Sequence, residues 1–421
     1  MKCPAKAYLW IFLAVMFFYS CVPQDERAGV HWKSIEKGLQ TAFIAAQTGD
    51  TIHIDTGYFW FTRSLLMDGK ENIVIKGKGM DKTILSFKGQ EEGAEGIRIS
   101  NCRNIKIEDL TVEDAKGDNI KVTDTNGIFF SRVKVYWTGG AKEENGAYGF
   151  YPVLCRNVRI EDCVAARASD AGVYVGQSDT VLIRGNTVFE NVAGIESENS
   201  RFVEIYDNHT YNNTGGILVF DLPGLTQTGR HTRVFQNKVE SNNHPNFAPK
   251  GNIVGMVPPG TGIMILASRD AEIFSNEISH NRTSPLSIVS YELVAAMSGN
   301  RSGEQPSGSA QGVKQGYKSD TLYNPYPENI YIHSNIFRNK HWFPSLKSDF
   351  GKLFLTRFFM STPDIQFDGF VDKNSEKGLR LCILQENILF ADLDAPNDLK
   401  NIRKDVKPYL CEGEIISPVS F

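Results

Sequence analysis

The sequence predicts an all-β fold, a right-handed single-stranded parallel β-helix with an N-terminal capping helix and a non-repeating C-terminal region. Three observations carry this expectation. A short motif recurs: CRNIKIEDL (102–110) returns as CRNVRIEDC (155–163), while IRGNTVFEN (183–191), IYDNHTYNN (205–213), VFQNKVESN (234–242) and IFSNEISHN (273–281) share one template. The period is 22 or 23 residues where no loop is inserted, as from Val158 to Val181 to Val203. That is room for three short strands and not for a crossover helix. Each copy also alternates apolar and polar residues between Asn and Gly breaks, so it has an apolar face that it buries only by stacking on a neighbour. Leucine-rich repeats share the period, but their leucine ladder is absent.

Taken in chain order, residues 1–20 read as a signal peptide. Lys2 and Lys6 precede an apolar run from Ala7 to Tyr19 that is too short to span a bilayer. Ser20-Cys21 closes it, and Cys21 is the expected lipidation site and the start of a linker over 21–33; plain secretion is the alternative. The β-helix is expected over 34–340. Its cap is a helix at 34–47, with Ile35, Leu39, Ala42, Phe43 and Ala46 on one stripe and Gly49-Asp50 as the stop. Thr51 to Ile54 then begins the first strand. IHSNIFRNK (332–340) is a frayed last copy of the template, and residues 292–328, rich in Gly, Ser, Asn and Gln, form a long loop before it. Residues 341–421 lose the repeat and close the stack.

The Asn columns (Asn186, Asn208, Asn237, Asn276; Asn191, Asn213, Asn242, Asn281) belong at the bends. Asn tolerates left-handed backbone there, and its amide can bond the Asn of the next coil. They are read as scaffold, not as metal or sugar ligands. Seven cysteines become five once Cys3 and Cys21 are set aside. Cys102 and Cys155 lie about two strand spacings apart, ~9.6 Å, too far for a bond, so Cys382 and Cys411 are the better pair. With 45 basic and 49 acidic residues, the charge balance offers no case for nucleic acid.

The strings SDAGVYVGQS (169–178), GGILVFDLPGL (215–225) and NFAPKGNIVGMVPPGTGIMILA (246–267) resemble a family of bacterial exported parallel β-helix repeat proteins without a settled activity. The resemblance implies a signal or lipid anchor and a second exported protein as companion. A more local stretch, AYGFYPVLCRNVRIEDCVA (147–165), is similar to mannuronan C5-epimerases and alginate lyases. Their Tyr-Gly-Phe-Asp-Pro-His run is matched by Tyr148, Gly149, Phe150 and Pro152. Tyr151 and Val153 stand where the Asp and His would be, so only the tyrosine of that catalytic set carries over.

Aligning one strand of each coil predicts an outward column of Arg98, Lys121, Tyr151, Tyr174, Glu196, Leu218 and Met264, with successive members ~4.8 Å apart. Arg98 and Lys121 could neutralise acidic sugars, and Tyr151 and Tyr174 offer flat faces and hydroxyls. Glu196, with Glu198 or Asp170 nearby, could be a general acid or base or a calcium ligand. The bland alternative is an ordinary polar exterior. Tyr148, Tyr151 and Glu196 are the catalytic candidates, and Asp221, Arg230 and His231 are expected to overhang the groove. No histidine spacing suits zinc, and neither a phosphate loop nor a Gly-x-Ser-x-Gly elbow occurs.

The expected function is therefore an envelope lipoprotein, on the outer-membrane or periplasmic side, that binds or processes an acidic polysaccharide. If it is catalytic, lyase or epimerase chemistry is favoured over hydrolysis, since no carboxylate pair is evident. The alternative is a non-catalytic protein docking a companion through loops 221–232 and 243–261. A third reading is a purely structural surface module.

Overall fold

A computed structural model describes residues 30–299, 317, 320, 323–338, 344–346, 349–359, 361–372 and 379–421. The signal segment, Cys21, most of the linker and much of the 292–328 excursion lie outside these residues. So do several positions after 338.

The chain is a parallel β-helix. Strands from successive coils pair in parallel and in register, and the described residues form one sheet of eleven strands and a larger one that wraps the other two faces. The eleven-strand sheet shows why this sequence coils. Its inward positions run Leu65, Ile97, Ile120, Phe150, Val173, Ile195, Ile217, Ile263, Leu286, Ile365 and Phe390, each paired with the next. All are buried. Period-two alternation sends every second side chain to this interior, and each buried aliphatic contributes roughly 1.5–3 kcal/mol. A matching ladder from Ile105 through Ile128, Val158, Val181 and Val203 lines the facing sheet.

The cap helix spans Glu36–Ala45, two residues inside each expected end, and buries Leu39 and Phe43. It also blunts an open sheet edge. The Gln40 amide donates to the Leu66 carbonyl at 2.9 Å and accepts from the Leu66 N–H at 2.8 Å, as a neighbouring strand would.

Two asparagine ladders fix the bends. Asn186 donates through its side-chain nitrogen to Asn208 Oδ1 at 2.9 Å, Asn208 to Asn237 at 3.0 Å, and Asn237 to Asn276 at 2.9 Å. Asn276 extends the run to Asn335 at 2.9 Å. The second ladder joins Asn191, Asn213, Asn242 and Asn281. The left-handed residue is not the ladder Asn, as the sequence suggested, but the one before it: Gly185, Asp207, Gln236 and Ser275 all have positive φ. That conformation turns the following Asn inward, where its amide satisfies backbone groups of its own and neighbouring coils.

The C-terminal region lacks the repeat but still supplies rungs. Ile365–Phe367 and Phe390–Asp392 extend the eleven-strand sheet, and Leu381–Leu384 pairs with Glu328–His333. Inward apolar residues suffice for pairing without the Asn bends. The 292–328 excursion opens as a helix, Tyr291–Gly299, because Leu293, Val294 and Met297 have an apolar hollow to line. Cys382 and Cys411 form a disulfide, while Cys102, Cys155 and Cys163 are free and buried. Beyond the bridge the tail runs back across the larger sheet, with Ile416 N–H donating to Glu272 at 3.1 Å and Val419 N–H to Glu204 at 3.2 Å.

Removing one ladder amide leaves several buried groups without partners. Asn208→Ala strips the acceptor from the Asn186 N–H and side chain, and the donor from the Ile183 carbonyl. Denaturant titration should show a loss of about 3 kcal/mol; a change under about 0.5 kcal/mol would mean the ladder is incidental.

Candidate functional site

The outward column exists in register. Leu66 pairs with Arg98, Arg98 with Lys121, Lys121 with Tyr151, Tyr174 with Glu196, Glu196 with Leu218, and Leu218 with Met264. The Phe150–Val173 pairing sets Tyr151 and Tyr174 on adjacent rungs. The column is not uniform, however. Arg98 is exposed, Lys121 and Tyr151 are half-buried, and Tyr174, Glu196, Leu218, Glu198 and Asp170 are buried.

Three tyrosines form its centre. The rings of Tyr148 and Tyr151 lie 4.4 Å apart, Tyr148 and Tyr174 4.6 Å, and Tyr151 and Tyr174 5.0 Å in an edge-to-face contact. Lys121 Nζ sits 4.7 Å over the Tyr151 ring and 3.8 Å from both Glu95 and Asp118. Asp118 in turn accepts the Tyr148 N–H at 3.3 Å.

Beside the rings lie three carboxyls, Asp170, Glu196 and Glu198. Tyr174 donates its hydroxyl to Glu198 Oε1 at 2.7 Å, and Tyr148 donates to Asp170 Oδ2 at 3.4 Å. The Asn252 amide reaches the same Asp170 oxygen at 3.3 Å. Asp170 Oδ1 and Glu196 Oε2 are buried without a partner. Burial, reinforced by the charge of Glu198, pushes Asp170 up to about 8. Burial also pushes Glu198 up to about 7, against the hydrogen bond from Tyr174. Glu196 rises well above the carboxylate range through burial and the charges of Asp170 and Glu198. Asp118, at the mouth, is raised by burial to about 6, with Lys121 opposing the shift. The same burial and acidic company raise Tyr148, Tyr151 and Tyr174 above the usual phenol value. The phenols are therefore hydrogen donors near neutrality, and a base must come from a carboxylate.

Gly176 makes this geometry possible. A Cβ there would lie 2.4 Å from the Tyr174 hydroxyl, so only glycine lets the ring lean across to Glu198. Sequence reasoning missed Gly176, Asp118, Glu95 and Asn252. Asp118 was legible in part, standing directly before the aligned Asn119-Ile120 start. Asn252 comes from an inserted segment with no repeat to place it.

Asp221, Arg230 and His231 do not overhang the column. Asp221 is buried and accepts the Gly229 N–H at 2.8 Å, pinning the base of its own loop; burial raises it to about 7. Arg230 and His231 begin a strand of the larger sheet, where His231 stacks on Phe202 with centroids 5.1 Å apart. The corner between sheets, invisible in a linear pattern, turns them to another face. Among the described residues no group of three or more His, Cys, Asp or Glu side chains could hold a metal ion.

A family profile described as "Right handed beta helix region" matches residues 95–254. The chain is thus a right-handed parallel β-helix protein. Among solved structures it is similar to the A-module of a mannuronan C-5 epimerase from Azotobacter vinelandii, with 15% identity, 81% of this chain and 87% of that chain covered, and a TM-score of 0.50. It is also similar to an alginate lyase from Paenibacillus sp. str. FPU-7 (11% identity, 73% and 96% covered, TM-score 0.35). A mutant DFA-IIIase from Arthrobacter chlorophenolicus A6 is a third (11% identity, 85% and 79% covered, TM-score 0.47). At 15% identity the likeness to the epimerase module is one of fold. No curated protein sequence matches the chain.

The carboxyls make stability depend on pH. Each keeps its proton in the folded chain where the unfolded chain has lost it, so the folded state binds more protons and stability falls as pH rises. The window opens near ~4, the unfolded carboxylate range, and closes at about 8 for Asp170. Asp170→Asn should be more stable than wild type at about pH 8 and nearly equal to it at about pH 4. Chemical denaturation at both pH values tests this; a wild type indifferent to pH would contradict the reading.

Proposed function

We propose that this protein binds a polysaccharide along the outward column and processes it by proton transfer at Asp170 and Glu198. The observation that carries the reading is the buried carboxyl cluster beside Tyr148 and Tyr174, in which the ionisation of Asp170 and Glu198 is displaced into the neutral range. Structural ion networks seldom leave buried acid oxygens without partners, whereas acid–base sites need carboxyls that change protonation near working pH. Tyr151 and Lys121 at the half-open rung offer a ring face and a cation to an arriving sugar.

The favoured substrate is an acidic polymer, and the favoured chemistry is that of a lyase or epimerase. Arg98 and Lys121 supply positive charge at the open end. A protonated Asp170, with the Asn252 amide beside it, would hydrogen-bond a uronate carboxylate. An ionised Glu198 would take the proton next to that carboxylate. In a lyase the bond to the leaving sugar oxygen then breaks, a phenol returns a proton to that oxygen, and a double bond remains in the product. The fold is shared with a mannuronan C-5 epimerase, which is where the sugar class is borrowed from. Hydrolysis is the second reading, favoured by the pairing of two acids with displaced ionisation that the sequence had not made evident.

The setting we propose is the bacterial envelope, with Cys21 as a lipid anchor. The Cys382–Cys411 disulfide supports an oxidising compartment. Changing Cys21→Ser should move the protein from the membrane to the soluble fraction; a wild type already soluble and unlipidated would end the anchor proposal.

The mature protein should be screened on a panel of alginate, polygalacturonate and neutral glycans, for retention and for product. Unsaturated products indicate elimination, and new reducing ends indicate hydrolysis. Tyr151→Ala should weaken retention by about 1–2 kcal/mol with little loss of folding. Asp170→Asn and Glu198→Gln should abolish turnover while retaining binding. Retention of no glycan would reject this reading in favour of docking a companion protein.

A further inference from the structure

The two ends of the column differ in a way that bears on how a polymer could lie there. Toward the cap helix it is open: Leu66 is 50% exposed, and a groove of about 1080 Å³ runs past Leu66, Arg98 and Glu95 onto Lys37 and Gln40 of the cap helix. In the other direction it is closed. Tyr174 is 5% exposed, Glu196 2% and Leu218 0%, because Ile253, Val254 and Val257 of the 243–260 segment pack directly on that part of the column. This wall is braced from within, since the Asn246 amide donates to the Val254 and Val257 carbonyls, both at 2.9 Å. It is also tied to the site, through the Asn252 amide on Asp170. The space behind it, between Met264, Phe220 and Leu293, is about 70 Å³. A cavity of about 150 Å³ holds one benzene, so this hollow is too small to take a sugar ring.

We infer that the cleft is one-ended: a polysaccharide enters along the cap-helix side and stops, terminus first, at the carboxyl cluster, so the protein engages chain ends and not chain interiors. This rests on the function proposed above and adds its mode of action. From Leu66 to Tyr174 the column spans four rung steps, ~19 Å at ~4.8 Å each. That spacing is close to the advance of one sugar along a chain, so about four sugar units would lie between the wall and the cap helix. Arg98, the first cation of the open stretch, would meet a unit remote from the reacting end.

Calorimetric titration with mannuronate, guluronate and galacturonate oligomers of about two to eight units tests this, each oligomer being used free and with a bulky aromatic cap on either end. Affinity should rise with length to about four units and then level off. A cap on one end should cost at least about tenfold, while the same cap on the other end is tolerated. Arg98→Ala and Leu66→Ala, both at exposed positions, should each lower affinity for the longer oligomers about fivefold and leave dimers unchanged. If both caps are tolerated equally, the cleft runs through and the inference is overturned while the glycan reading stands. If no oligomer binds, the glycan reading falls and this inference falls with it.

Discussion

Register is the constraint on which everything else in this molecule depends. A parallel pair slipped by one residue turns its inward side chains outward, and in a β-helix that slip would propagate through every later coil. The chain guards against it at the bends. Within a ladder, an Asn such as Asn208 accepts from the N–H and the amide of the Asn one coil back and donates to the next, so position is fixed by side chain as well as backbone. The outward column inherits this accuracy. Lys121, Tyr151, Tyr174 and Glu196 come from four coils, yet they lie in one line because their inward neighbours Ile120, Phe150, Val173 and Ile195 do.

A rigid scaffold can hold groups in costly environments, and here it does. Three carboxyls share a buried patch, and two of their oxygens have no partner among the described residues. Such an arrangement lowers stability at neutral pH. Tyr174 and Asn252 relieve it in part by donating to Glu198 and Asp170. Aliphatic packing along the interior absorbs the rest, which is how strain at a site is usually sustained. The larger sheet shows the contrasting case. There Arg233 lies between Glu204 and Glu272 at 2.5 and 3.5 Å, stacked over Phe235 and Phe274, and the tail covers the network. Compensated charge makes a seam, and uncompensated acid makes a candidate site.

The inserted segments decide what the column can be used for. The rungs alone would give an open face from Leu66 to Met264. The 243–260 segment packs where Tyr174, Glu196 and Leu218 are buried, and the helix Tyr291–Gly299 lines the hollow behind. Coils therefore set the chemistry available, and insertions set the access to it.

The sequence by itself determined the coil, because periodic apolar positions and Asn bends are local signals repeated many times. It also determined the outward column, since a side-chain period of two leaves no freedom once the inward residue is known, and it singled out Cys382 and Cys411. It did not determine burial along that column, the Tyr174–Glu198 contact across Gly176, or the reach of Asn252 to Asp170. Nor did it show that Arg230 and His231 turn away from Asp221. Those features depend on where non-repeating segments fold back and where the chain rounds a corner. No periodicity encodes such contacts between residues distant in sequence, so only the tertiary structure could decide them.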